Sequence, residues 1–215
     1  MEIALITIFS TSFVLALSGA LMPGPLMTVT VSESSRRGAS TGPLMIFGHG
    51  LLELALVIAL VSGLAPILVR DDVFIFISLT GGAVLLWMGI SMLRTLPQLS
   101  LDCQPAGEKK SRNLVVMGIV LSAVNPYWLL WWASIGLGYI MHSLKFGMLG
   151  VTAFFLGHIL ADLAWYGLLS FGITKGQHLF SNDFYRKLIG GCAVFLILFS
   201  CWFFFSGVQK TLDVI

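Results

Sequence analysis

Apolar residues run in six long blocks along this chain, and short polar clusters separate them. The blocks fall near residues 4–32, 42–69, 73–94, 113–141, 146–173 and 185–208. Each is long enough for a membrane-crossing helix, which needs about 20 predominantly apolar residues. The polar interruptions are 34–38 (SSRRG), 70–72 (RDD), 97–112, 142–145 and 175–187. The pattern predicts an all-α polytopic membrane protein with six transmembrane helices. Residues 97–112 hold Asp102, Pro105, Glu108, Lys109, Lys110 and Arg112 and read as a cytoplasmic linker. They divide the chain into a first three-helix repeat, 1–96, and a second, 113–215.

The two halves resemble one another. Residues 48–55 (GHGLLELA) return 109 positions later as 157–164 (GHILADLA), with five of eight identical and Glu53 answered by Asp162. Gly81-Gly82 recurs as Gly190-Gly191 at the same offset of 109. One offset serving two separate helices is hard to obtain by chance in apolar sequence. Three spans per half is an odd number, so the second half enters the membrane in the opposite direction. The expectation is two inverted-topology repeats about an axis in the membrane plane.

Composition agrees with the membrane class. Hydrophobic residues make up 57%, charged residues 10%, and the mean hydropathy is +0.95, whereas about a quarter of a soluble domain is charged. A net charge of +2 says little, but its distribution orients the chain. Connections 1–2, 3–4 and 5–6 hold Arg36, Arg37, Arg94, Lys109, Lys110, Arg112, Lys175, Arg186 and Lys187, against Arg70, Lys145 and Lys210 on the other side. Nine against three places the first set in the cytoplasm and both termini outside. Residues 18–20 imitate a signal-peptidase site, but the n-region has Glu2 and neither Lys nor Arg, so the segment is expected to stay. No basic patch interleaved with aromatics is present, so nucleic-acid binding has no support. Cys103, Cys192 and Cys201 have no metal or CxxC spacing.

Two spans are interrupted by proline. Pro23-Gly24-Pro25 removes two backbone donors from span one, and Asn125-Pro126 interrupts span four. Carbonyls freed at membrane depth are tolerated only where protein buries them or they line a watery cavity. Matching interruptions in the first span of each half point to a transport site.

Pro23-Gly24-Pro25, Asn125-Pro126 and Arg37-Gly38 together resemble the LysE/RhtB family of amino-acid exporters, as do the size and six-span plan. The resemblance implies export of amino acids or related small metabolites across a prokaryotic inner membrane, driven by the proton gradient. The chain departs from the family pattern where many members carry Asn after PGP and Lys after NP. Here those positions hold Leu26 and Tyr127. Both departures remove groups able to meet an amino-acid carboxylate or amine, which loosens the implied substrate class.

The chemistry concentrates in His49, Glu53, His158 and Asp162. Each pair is spaced i,i+4 and so shares a helix face. A charged, unpaired carboxylate at the bilayer centre costs about 3 kcal/mol or more, so the pairs are expected to face the bundle interior. Desolvation disfavours charge on acid and base alike, which suits proton exchange. The plainer alternative is a polar staple between helices; the symmetric duplication favours function. Gly81-Gly82 and Gly190-Gly191 read as helix-packing residues. Trp87 and Trp202 read as interfacial anchors, while Trp128, Trp131 and Trp132 either shape a cavity or pack.

The leading function is therefore a secondary exporter and not an enzyme, with a small-molecule substrate, protons and the lipid bilayer as partners and no cofactor. Pro23, Gly24, Pro25, His49, Glu53, Asn125, Pro126, His158 and Asp162 form its expected substrate and proton site. The alternative is a divalent metal cation exporter that uses His49, Glu53, His158 and Asp162 as ligands. A six-span redox enzyme is discounted, because no cysteine lies near either proline break. The sequence leaves open whether the chain forms a homo-oligomer.

Overall fold

The computed structural model describes residues 1–68, 70–98, 113–176 and 182–214. The greater part of the linker, including Cys103, lies outside them. The described residues are helical with short connections. Helix α1 (Glu2–Ala20) is followed by a break at 21–24 and by α2 (Pro25–Arg37). Helix α3 (Thr41–Ala59) passes through a π turn (Leu60–Leu64) into α4 (Ala65–Leu68). Helix α5 (Asp71–Thr95) closes the first half with a 3-10 turn, Leu96–Gln98. In the second half, α6 (Leu114–Ala123) gives way to α7 (Pro126–Trp131), a π turn (Trp132–Gly136) and α8 (Leu137–Leu144). Long helices α9 (Gly147–Gly176) and α10 (Asn182–Val214) complete the chain.

Five segments are long and apolar enough to cross a membrane: Glu2–Ala20, Thr41–Ile67, Asp71–Gln98, Gly147–Gly176 and Ile189–Asp213. The sixth is a bent pair, Leu114–Ala123 with Pro126–Leu144, at 64°. The chain is thus an all-helical polytopic membrane protein.

The proline breaks are unequal. Span one is expected over 4–32 with its break inside it, yet α1 alone, at 19 residues, reaches about 28 Å at 1.5 Å per residue. The break falls at its end, and α2 is a separate, more polar helix. Pro25 occupies the first turn of α2, where its missing N–H leaves no bond unmade. Helix α2 stops at Gly38, whose φ of 88° lies in the left-handed region open to glycine. In span four the break comes after only ten residues of α6. There the Asn125 side chain caps α7 by accepting from Tyr127 N at 3.1 Å.

Four pairings build the bundle: α5 with α10 and α3 with α9 run antiparallel, whereas α1 with α9 and α3 with α6 run parallel. Two of them depend on a glycine just ahead of a histidine. A Cβ on Gly48 would overlap the Val115 carbonyl of α6, and one on Gly157 would overlap the Phe9 carbonyl of α1. Small residues let helix backbones touch where apolar burial gives no drive between helices. Ser12 adds a bond across α1 and α9, its Oγ donating to Phe154 O at 2.7 Å.

The connections sort onto two faces. Ser170 Oγ donates to Ala39 O at 2.8 Å and Thr174 Oγ1 to Ser34 O at 3.2 Å, which puts the ends of α2 and α9 together. On the opposite face, Lys210 Nζ lies 2.9 Å from Asp71 Oδ1. Large apolar side chains such as Phe47, Phe76, Leu168, Leu198 and Phe205 point outward, as a lipid-facing surface requires.

Gly48→Ala and Gly157→Ala each force a methyl into a backbone carbonyl that has no rotamer to change. Each is expected to cost about 1–3 kcal/mol or more, read as a lowered melting temperature of the detergent-solubilised protein. Gly138→Ala and Gly167→Ala, where nothing lies within 4 Å, should melt as wild type.

Candidate functional site

The i,i+4 spacing carries His49 and Glu53 on one face of α3, and His158 and Asp162 on one face of α9. Antiparallel packing of these two helices turns both faces onto each other. All four residues are buried, at 7%, 1%, 4% and 4% exposure. His49 Nε2 lies 3.0 Å from Glu53 Oε1 and 3.6 Å from Asp162 Oδ2. His158 Nε2 lies 3.1 Å from Glu53 Oε2 and 3.4 Å from Asp162 Oδ2. Each histidine therefore meets the carboxylate of its own helix and that of the other.

Two indoles complete the surroundings of Glu53. Trp128 Nε1 donates to Oε1 at 3.1 Å and Trp132 Nε1 at 2.9 Å. They too are four residues apart, at the start of α7 and of the following π turn. Oε1 has two lone pairs and each meets one indole N–H; with the carboxylate charged, such bonds are the strong, charge-assisted kind. Proton accounting also orients His49. Ser122 Oγ donates to Gly118 O at 2.7 Å, so at its 2.6 Å contact with His49 Nδ1 it is the acceptor. His49 thus faces acceptors at both ring nitrogens, an arrangement suited to a doubly protonated ring.

His158 is less well served. Its Nδ1 is buried without a hydrogen-bond partner, as are Asp162 Oδ2 and Trp131 Nε1. Its ring sits 4.8 Å from that of Trp131 and 5.3 Å from that of Trp132.

These side chains line a cavity of about 60 Å³ that reaches both proline breaks. Of the residues expected from the sequence, Pro23, Gly24, His49, Glu53, Asn125, His158 and Asp162 line it, whereas Pro25 and Pro126 do not. Pro25 starts α2, and Pro126 packs against Gly81 of α5. The breaks are neighbours, since a Cβ on Gly24 would lie 3.6 Å from Asn125 Nδ2. Ser122, Ala16, Gly19 and Tyr166 also line the cavity and escape sequence reasoning. Nothing in their local spacing separates them from ordinary helix-packing residues. The i,i+4 spacing of Trp128 and Trp132 was a usable signal. Trp87 and Trp202, 70% and 58% exposed, point away from the site. Cys192 is buried and Cys201 exposed, both on α10.

The four donor atoms lie within 4.8 Å of one another. A tetrahedral ion bound at about 2.0–2.1 Å separates its ligands by roughly 3.3–3.5 Å, close to the 3.0–3.6 Å between histidine and carboxylate here. Either protons or one small divalent cation would satisfy the set.

A model of the LysE type translocator family matches residues 17–207. The chain belongs to that family. The translocator is 28% identical to the chemotactic transduction protein ChpE of Pseudomonas aeruginosa, over 90% of this chain and 95% of the relative. It is 23% identical to a putative amino acid efflux protein, YcgF, of Bacillus subtilis, over 95% of this chain and 99% of the relative. No solved structure matches it. The family is one of transporters, so this is a multi-pass membrane transporter.

Glu53→Ala removes the acceptor from two indoles and two histidines at once, leaving buried charge uncompensated. A loss of about 3–5 kcal/mol is expected, against about 1–2 kcal/mol for Trp132→Phe, which removes one donor. Chemical denaturation of the two variants in the same detergent ranks them.

Proposed function

We propose that this translocator is a secondary exporter of amino acids or related small metabolites, coupled to protons and working by alternating access. The observation that carries the proposal is the convergence of His49, Glu53, His158 and Asp162 on a cavity bounded by both proline breaks. Broken helices place backbone dipoles at a substrate, and buried acid–base pairs hold protons. The relatives named above include one named for amino acid efflux. At about 60 Å³ the cavity is small beside the ~300–1,000 Å³ of typical small-molecule sites, so cargo requires a more open state.

In this reading residues 1–96 and 113–215 are inverted repeats joined by a cytoplasmic linker, and they rock about the shared site. The packing supports it. Span one lies on α9 at Gly157 as span four lies on α3 at Gly48, so each repeat inserts its first span against the middle span of the other. The same reading has the 1–2, 3–4 and 5–6 connections in the cytoplasm of a prokaryotic cell and both termini outside the inner membrane, and the excess of Lys and Arg in those connections supports it.

A second reading, a divalent-cation exporter, is favoured by the donor spacing alone. Flux into proteoliposomes separates the two, using a panel of amino acids and divalent metals with and without an imposed pH gradient. The expected result is amino-acid flux accelerated by the gradient. Glu53→Gln combined with Asp162→Asn should lower gradient-driven flux by about 100-fold or more, the scale of losing a charged group's bonds. Wild-type flux in that double variant would sink the mechanism, and metal flux without amino-acid flux would install the second reading.

A further inference from the structure

The two histidines differ in one respect that their sequence symmetry hides. Ser122 stands seven residues beyond Val115, the α6 residue against Gly48, and its hydroxyl engages His49 Nδ1. The residue seven beyond Phe9, which packs against Gly157, is Ala16. A methyl offers no hydrogen bond, and His158 Nδ1 is left without a partner. Beside it, the Trp131 indole N–H is likewise unpartnered. A Cβ on Gly19 would lie 3.5 Å from Trp131 Nε1, so the glycine keeps the space before that N–H clear of side chain. Ala16, Gly19, Trp131 and His158 all line the central cavity.

Buried polar groups are almost always paired, and each exception calls for an explanation. Trp131 Nε1–H is a donor only, so its missing partner is an acceptor. Glu53 and Asp162 present acceptors to the other edge of the His158 ring, which as an imidazolium donates at both nitrogens. Two orphaned donors on rings 4.8 Å apart fit the two oxygens of a carboxylate.

We propose that Trp131 Nε1 and His158 Nδ1 form the subsite for the cargo's carboxylate, seated over Ala16 and Gly19. Its ammonium then faces Asp162, whose Oδ2 makes no hydrogen bond among the described residues and has the two histidine Nε2 atoms near it, at 3.4 and 3.6 Å. The subsite rests on the amino-acid export reading and deepens it. It supplies the carboxylate recognition that Leu26 and Tyr127, apolar or uncharged beside the breaks, do not. The cargo is accordingly an α-amino acid and not its amine.

The test compares amino acids with their decarboxylated amines in proteoliposomes of the full chain: leucine with isoamylamine, and lysine with cadaverine. Wild type should prefer acid-bearing cargo, read as a higher kcat/KM. Trp131→Phe, Gly19→Ala and Ala16→Ser should each reduce the acid-to-amine ratio about tenfold or more, the worth of one charge-assisted bond. The first removes the donor, the second fills its space, and the third gives His158 an internal partner. Gly19→Ala meets Trp131 only at ordinary van der Waals distance, so it keeps the test available if Trp131→Phe does not fold. An unchanged ratio in folded Gly19→Ala and Ala16→Ser overturns the subsite while leaving amino-acid export standing. Wild-type flux of the amines without the amino acids overturns both.

Discussion

A carboxylate buried at membrane depth must be met by donors, and Glu53 sets the terms for the rest of this bundle. Its Oε1 receives two indole N–H groups and lies beside both histidines. Those donors come from α3, α7 with its π turn, and α9, so one side chain ties three elements of both halves to a common point. In hydrocarbon no water can substitute for any of them. The order of helices around the centre follows from that requirement.

Close backbone contact makes it possible. Gly48 and Gly157 bring α3 against α6 and α9 against α1, and each places the following histidine toward the bundle interior. The proline breaks serve a different end. With Asn125 capping α7 and Pro25 opening α2, the helix starts lie beside the cavity with their polar ends satisfied or directed inward. A site of buried charges and helix starts in a cavity of about 60 Å³ is polar but too small to be a permanently open channel. This is the physical basis for proposing that it alternates between two openings.

Much of this was legible along the chain. Six spans, five of them as helices and one as a bent pair, follow from hydropathy. The proline breaks were placed by residue, although the length on either side was not: α1 carries 19 residues before its break and α6 only ten. Hydropathy counts apolar residues and is blind to where a helix direction changes. Pro25 and Pro126 belong to the site's motifs, yet neither lines the cavity: Pro25 opens α2 and Pro126 packs against Gly81. Proline at the first turn of a helix acts through the backbone and need not face what the motif serves.

The sequence by itself determined the class of molecule, the family pattern, and the two helix faces that carry acid and base, because periodicity is a local property of a few turns. Only the tertiary structure decided that both faces meet one another and both breaks. It also decided that Ser122 engages His49 while Ala16 leaves His158 open, and that Trp128 and Trp132 turn their N–H groups to Glu53. Those contacts join residues some 73 to 105 positions apart. Their geometry is set by which helices touch and at what rotation, information that no short window of sequence contains.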